Sequence, residues 1–592
     1  MWAPHPHFLL LVLSLVLQTV LAVKYVDVTP AVVRHRRRLG LKYENERKRK
    51  RDIEQQLERR TYDYPPADRQ KLAPALRSNR FAAPDPPLPF SRKSSAYSNE
   101  RLSALTAKHN KRQDQDISCN SITITPPGFD GSCAVGLPCP NGACCGASGF
   151  CGYGSEFCGT GCSSNCDAVA ECGPNAAAGN ELCPLNVCCD KFGFCGSTDD
   201  FCGANCIGDN CGEPSIPTGV NTPVTSRVIG YYEGWYVFGQ TLMTYWRTLI
   251  SRTRRASSRV CDAWFPQNIP ASAYTHLYYS FASIDPDSFQ VVPASSSDVP
   301  QYTEFTNLKQ SNPNLKTYIS VGGWAFNDPP TQQVFSNTAG SATNRQTFAT
   351  SLVNFLIQYG FDGVDIDWEY PVACERGGSP GDKANFVLLM QTIRQTVSSG
   401  HSFGLTFTTP SSYWYLQHFD LLGLLQYADW TNLMSYDLHG VWDAKDVYIG
   451  SVVQAHTNLT EIEQSIQLFQ RVGVPLDKIT LGIGFYGRSF ELSDPTCTTP
   501  GCHFSGPAPG GACTQADGIL SFSEIEQILS QSTVQPVYDQ AAQVKYLVYN
   551  DNDWISYDDA ETLTAKVNFA KGAGLGGLMV WAVDLDNFKY VH

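Results

Sequence analysis

Past residue 22 the 592-residue chain has no apolar run long enough to cross a bilayer, so a spanning segment in the body of the protein is excluded. It has no cysteine before position 119 and no excess of basic charge after position 112. It also lacks the Gly-rich phosphate turn that follows the first strand of an open nucleotide-binding sheet, since GYYEGW at 230–235 is no such turn. Each absence removes a class of function. A dinucleotide fold is disfavoured, and an acidic main body argues against nucleic acid as a partner.

The first feature present is apolar. Phe8 to Ala22 is too short to span a membrane comfortably and ends in Val20-Leu21-Ala22, so 1–22 reads as a secretory signal peptide, although no Lys or Arg precedes it. A membrane anchor is the alternative; after processing no membrane span is expected. Residues 23–112 hold 23 Lys and Arg against 10 Asp and Glu, a charge of +13, whereas 113–592 hold 21 against 46, a charge of −25. The basic block contains RHRRR and ERKRKRD and ends at Lys111-Arg112, a dibasic pair. We read 23–112 as a removable pro-segment, with a retained basic arm on anionic wall polymers as the alternative.

Twenty-two cysteines behind a signal peptide imply an oxidising compartment and a disulfide framework. They contain a repeat. Residues 172–211 run C-x10-C-x4-CC-x5-C-x6-C-x3-C-x4-C, and residues 133–166 share every spacing from the second cysteine to the seventh. Segments this small cannot fold on an apolar core alone. The expected order is a first cysteine-rich module at 113–170, a second at 171–212, a Pro/Thr/Ser linker at 213–226 and a large domain at 227–592. Nine cysteines lie between Cys119 and Cys166 and five in the large domain, both odd, so pairing across the linker or a free thiol is required. Asn458, in the sequon Asn458-Leu459-Thr460, agrees with secretion.

In the large domain, strand-like runs alternate with helical ones: RVIGYY, THLYYSFA, LKTYISVGG, FDGVDIDWE, FGLTFTTP, WTNLMSYD, ITLGIGFYG and GGLMVWAVD. Eight such strands predict an α/β fold, a closed (β/α)8 TIM barrel. In FDGVDIDWE the side chains alternate, so Asp365, Asp367 and Glu369 share the interior face while Val364, Ile366 and Trp368 face helices. Asp362 has the opposite parity and reads as structural. Repulsion along a water-poor acidic row should raise at least one pKa, and Glu369, at the carboxyl end of the strand, is the natural general acid. The alternative is a metal site, but no His or Asn lies near the row to complete a ligand shell, so no metal or cofactor is expected.

FDGVDIDWEYP and YISVGGW resemble the two signatures of glycoside hydrolase family 18, the chitinases, and GYY, YYSFA, LMSYDLHG, FYGRSF and GGLMVWAVD match in order. The resemblance covers 227–586 and implies substrate-assisted, retaining hydrolysis. Glu369 would protonate the glycosidic oxygen, and the substrate's acetamido oxygen would attack C1 to form an oxazolinium ion. Asp367 would stabilise the acetamido N–H, leaving Asp365, with which it shares a proton at rest. Tyr436 would orient the acetamido oxygen, and Asp437 and Met434 would line the same subsite. Trp581 would form the floor, with Tyr231, Phe281 and Ser320 around the row. Trp324, Tyr370, Trp442 and Arg488 complete the substrate-binding set. For Phe281 ordinary barrel packing is an equal reading. The roughly 80 residues between the last two strands resemble the family's α+β insertion, at about 491–556, which walls a deep cleft.

CCDKFGFCGSTDDFC resembles the hevein-type chitin-binding module. The resemblance places ligand contacts at Asp190, Phe192, Phe194 and Phe201 and implies the pairs Cys172–Cys189, Cys183–Cys195, Cys188–Cys202 and Cys206–Cys211. Asp190 stands where the family usually has Ser, which implies weaker binding. The first repeat has Gly146 and Ser148 at two ligand positions, keeps Phe150 and Phe157, and reads as structural. The partners implied are chitin and N-acetylglucosamine oligomers, with the protein a monomer, in the extracellular space or cell wall. A non-catalytic chitin lectin and a killer-toxin subunit are the other readings. Two stretches depart from the family pattern, the insert at 236–257 and the ending DNFKYVH. Both anomalies begin with Tyr-Val, at WYV and KYV, and each can be encoded so as to contain a GTATGT splice donor, so we expect both to be translated introns.

Overall fold

The computed structural model describes residues 132–139, 142–179, 181–234, 259, 261–446 and 449–587. The signal peptide, the pro-segment, Cys119, the insert at 236–257 and residues 588–592 lie outside them.

Eight parallel strands close into a barrel: β1 (Val228–Glu233), β2 (His276–Ile284), β3 (Lys316–Gly322), β4 (Gly363–Asp367), β5 (Gly404–Pro410), β6 (Trp430–Met434), β7 (Ile479–Gly484) and β8 (Gly577–Trp581). They pair in sequence order, and β1 pairs with both β2 and β8, which leaves the ring no open edge. The eight strands read from the sequence are the eight of the barrel.

β4 shows why the chain folds this way. Val364 and Ile366 point outward into a core shared by the helices on either side, Ala342–Tyr359 and Asp382–Val397. The first helix buries Phe348, Ala349, Leu352, Phe355 and Leu356, one stripe at helical spacing. It starts at Ser341, whose side chain accepts from the Asn344 N–H, and stops at Gly360, where a φ of 77° suits glycine. Trp368 is clamped between Phe335 and Phe386, each ring centroid 5.2 Å away. Burying one such side chain contributes roughly 1.5–3 kcal/mol, so the outward face of β4 pins the inward one.

Beneath the acidic row the barrel is solid. Tyr231, Tyr278, Tyr318, Trp430 and Met579 fill it, with Tyr278 stacked on Tyr318 at 4.9 Å. Tyr318 lies across Gly363 and Gly404, where a Cβ would fall 2.5 and 1.6 Å from its ring carbon and hydroxyl. Only glycine fits under that ring.

After β7 the chain leaves the barrel for an antiparallel sheet that runs from Tyr486–Leu492 to Asp553–Tyr557 and carries the helix Phe522–Gln531. The sheet therefore opens earlier than the expected 491. Its first strand continues the apolar run of β7 without a break in pattern, so the turn at 484–485 leaves no composition signal. Two bridges serve this region, Cys497–Cys502 and Cys261–Cys513. Cys374 is also disulfide-bonded, and no described cysteine is free.

Both cysteine-rich modules are short strands stapled by disulfides. The first contains Cys133–Cys145, Cys139–Cys151, Cys144–Cys158 and Cys162–Cys166. The second contains Cys172–Cys189, Cys183–Cys195, Cys188–Cys202 and Cys206–Cys211, the same ladder repeated.

Candidate active site

Asp365 and Asp367 point into the barrel from β4, and Glu369 lies two residues past its end. All three are buried. Their surroundings differ sharply. Asp365 takes four donors: the Tyr231 hydroxyl at 2.8 Å and Ser320 at 2.9 Å on Oδ2, and Thr406 at 2.7 Å and the Asn432 amide at 3.2 Å on Oδ1. Burial raises its pKa, and those hydrogen bonds oppose the rise. Asp367 accepts from Thr408. Burial, then the charges of Glu369 and Asp365, push its carboxyl well above the usual range. Burial also raises Glu369, against the nearby charge of Arg376, to about 7. Four donors surround Asp365 and one meets Asp367, while burial raises all three carboxyls of the row.

Above the row lies an aromatic floor. Trp581 stacks on Phe281 at 5.7 Å and meets Tyr231 at 5.5 Å. The Tyr436 hydroxyl is 3.8 Å from the Met579 sulfur, a weak acceptor that leaves it available to a stronger one. Met434 packs beside these rings. Three non-proline peptide bonds here are cis: Ser280-Phe281, Glu369-Tyr370 and Trp581-Ala582.

One wall of the site joins the β6 loop to the inserted sheet. Asp437 accepts from the Tyr486 hydroxyl at 2.6 Å and from Arg488 Nε at 2.7 Å and Nη2 at 2.5 Å. Burial works against its charge, but Arg488 and His456 hold its carboxyl well below the usual range. The Arg488 guanidinium lies 4.9 Å from the Trp442 ring. The opposite wall is held by Arg376, a buried cation. It donates to the Glu369 carbonyl at 3.1 Å and the Trp324 carbonyl at 2.6 Å, pairs with Asp328 at 2.5 Å, and covers the Trp324 ring at 3.7 Å. The Tyr370 and Tyr415 rings meet at 4.3 Å, tilted by 30°.

Sequence reasoning missed Thr406, Thr408, Asn432 and Arg376. The threonines had a signal: in FGLTFTTP they alternate with Leu405 and Phe407, so their parity is inward. Arg376 sits in an aperiodic loop and had none. With Asp365 saturated, Asp367 and Glu369 alone are too few ligands for a metal shell, whereas two raised carboxyls on one face suit proton transfer.

In the second cysteine-rich module the Asp190 carboxylate is spent on its own loop, accepting from the N–H groups of Phe192 and Phe194, both at 2.9 Å. Phe192 is exposed, Phe194 half-buried against Tyr153 of the first module, and Phe201 half-buried over Gly196.

Comparison with known proteins gives these features a context. The Glycosyl hydrolases family 18 profile matches residues 227–586, and a Chitin recognition protein profile matches 171–211. The Secreted chitinase LysM12 of Penicillium expansum is 32% identical over 472 residues, 76% of this chain, but the match spans only 27% of that relative's length. A Group IV chitinase of Ostrinia furnacalis, solved with allosamidin, matches at 27% identity and a TM-score of 0.54, over 62% of this chain and 94% of its own. Human YKL-39, described as a pseudo-chitinase with retained chitooligosaccharide binding, matches at 28% identity and a TM-score of 0.52, over 61% and 93%. With more than half of its length matched and the barrel closed around a buried acidic row, the chain belongs to glycosyl hydrolase family 18.

Proposed function

We propose that this protein is a secreted chitinase, acting as a monomer, that hydrolyses β-1,4 linkages between N-acetylglucosamine units with retention of anomeric configuration. The observation that carries this reading is the unequal acidic row: Asp365 met by four donors, Asp367 with a carboxyl pushed well above the usual range, and Glu369 raised to about 7 at the mouth of the barrel. Glu369 gives its proton to the glycosidic oxygen as the C1–O bond breaks, and the leaving sugar departs as an alcohol. The acetamido carbonyl oxygen of the retained sugar bonds to C1 from the opposite face, giving an oxazolinium ion. Tyr436, whose hydroxyl meets the weakly accepting Met579 sulfur, donates to that oxygen. Asp367 leaves its proton with Asp365 as it turns from the row, accepts the acetamido N–H as a carboxylate, and balances the positive charge. Glu369, now ionised, takes a proton from water as its oxygen attacks C1, and the ring opens.

The alternation of polar and aromatic groups suits a sugar, whose C–H faces stack on Trp581 while its edges find donors. A module matched to chitin recognition supports the same polymer and raises the local concentration of barrel on it. The secreted location rests on the N-terminal apolar run and on the cysteine framework.

Release of reporter from a fluorogenic chitobioside tests the activity, with Glu369→Gln expected to lower kcat by about 10²–10⁴-fold. Nuclear magnetic resonance of the first product should show the β anomer. An α anomer, or equal rates on a glucose polymer without the acetamido arm, overturns the mechanism. Binding of oligomers with no turnover would instead identify a lectin, and a second chain that co-purifies would identify a toxin subunit.

A further inference from the structure

The segment at 213–226 has the composition of a free linker, yet it is bonded to the barrel along its length. The Ser215 carbonyl accepts from the Gln470 side chain at 3.4 Å. The Val220 and Thr222 N–H groups donate to the carbonyls of Gly572 at 3.0 Å and Lys571 at 3.2 Å, and Val224 is fully buried. The helices that receive these bonds, Leu459–Arg471 and Ala560–Ala573, are both helices of the barrel.

The second cysteine-rich module has its own contacts with the barrel. The helix Leu459–Arg471 ends against it, and Arg471 donates to the carbonyls of Asn186 at 3.2 Å, Asn210 at 3.3 Å and Gly212 at 2.7 Å. Arg471 Nη2 also lies 3.6 and 3.5 Å from the sulfurs of Cys188 and Cys202, which are bonded to each other. In return the Asn186 amide donates at 3.0 Å to the Arg471 carbonyl, one of those that a helix end leaves without an internal partner. In the turn Pro184–Asn186, Leu185 and Asn186 are both left-handed, with φ of 56° and 53°. Leucine is disfavoured in that region, and such a backbone persists where its surroundings fix it. The turn packs against the helix, and Leu185 and Val187 are buried in the same apolar cluster as the barrel's helices. The strands Cys188–Asp190 and Cys195–Gly196 lead away from this docked end to the turn that carries Phe192, which is exposed, so docking leaves that face open.

We propose that the module is a fixed arm of the barrel: Arg471 and Leu185 lock it so that its Phe192 face and the catalytic cleft meet a solid chitin surface in one set orientation. A flexible tether raises the local concentration of enzyme on the polymer but leaves the barrel free to face any way. A dock also selects the orientation, which reduces the freedom lost when both sites touch one surface. A short soluble substrate that fills the cleft alone gains nothing from it. The proposal rests on the chitinase reading and adds a requirement that only insoluble polymer exposes.

The test compares the full chain with Arg471→Glu and, separately, with Leu185→Gly, which suits the left-handed turn and removes only the apolar contact. Small-angle scattering should show both variants to be more extended than the parent. Both should still adsorb to crystalline chitin, since Phe192 is untouched, and both should hydrolyse the fluorogenic chitobioside at the parental rate. Hydrolysis of crystalline chitin should fall about tenfold. Parental hydrolysis of crystalline chitin by the extended variants would make the module a simple tether and overturn the proposal. Unchanged scattering in both variants overturns it as well, since neither contact would then hold the dock. Equal losses on both substrates, or loss of adsorption in both variants, would trace the effect to a damaged barrel or module and likewise sink it, with the chitinase reading left standing. A parent that hydrolyses neither substrate overturns both.

Discussion

Asp365 and Asp367 have the same side chain, the same strand and the same burial, yet one has four donors and the other accepts from Thr408. The donors oppose the rise that burial gives Asp365, the charges of Glu369 and Asp365 add to it at Asp367, and Glu369 stands at about 7 to give and take a proton. Activity on the chitobioside should therefore fall as pH rises through about 7. Arg376 opposes the rise of Glu369, so Arg376→Met should move this alkaline limb upward, and Arg376→Lys should return it part of the way. A pH profile of kcat/KM reads both; no movement of the limb would remove Arg376 from the acid's electrostatics. Stability carries the opposite sign to intuition. Between an unfolded value of 4.5 and a folded value of about 7 the folded state binds the extra proton, so stability is full below 4.5 and lost as pH rises through 7. Glu369→Gln lacks this loss, and its melting temperature should exceed the parent's at pH 8 and approach it at pH 4.

At the scale of elements, the loop after β6 is the part that must be held still. It carries Tyr436, Asp437 and Trp442, and His439 staples it. The imidazole bonds Asp443 at 2.8 Å and Glu461, on the helix Leu459–Arg471, at 2.9 Å. Burial alone would lower its pKa, but the bonds to Asp443 and Glu461 outweigh burial and raise it to about 9. The folded state binds the extra proton between 6.5 and 9, so this stabilisation is complete below 6.5 and lost as pH rises through 9. Its size is on the order of 3 kcal/mol at full protonation. Unfolding by urea at pH 6 and at pH 10 should show the parent losing stability across that interval, and His439→Gln showing a much flatter dependence. An equal slope in both proteins would place the titrating group elsewhere. The motif LMSYDLHG held Tyr436, Asp437 and His439, but Trp442 and Asp443 lie past its end, and Glu461 comes from a separate helix that the motif does not reach.

At the scale of the molecule, Cys261–Cys513 joins the segment after β1 to the inserted sheet across 252 residues. Closing a loop that long restricts the unfolded chain by about 5 kcal/mol at most. The paired variant Cys261→Ser with Cys513→Ser should lower the melting temperature by roughly 5 °C. An unchanged melting temperature would mean that the insertion is held by packing alone. The odd cysteine count of the large domain was legible in the chain. The choice of Cys513 for Cys261 was not, because pairing across a barrel depends on which loops meet at its rim.

The sequence by itself determined the eight strands, their closure and the inward acidic row. Alternation within each strand and the spacing between strands are local properties, and a barrel follows when every strand must bury both faces. It also determined the repeat of the two cysteine-rich modules. Only the tertiary structure decided which acid in the row is surrounded by donors. Donors from β1, β3, β5 and β6 converge on Asp365 only once the ring is closed, and their positions lie up to 134 residues away along the chain. Likewise Arg376 gains its meaning from neighbours in space, since a loop has no period from which a partner can be read.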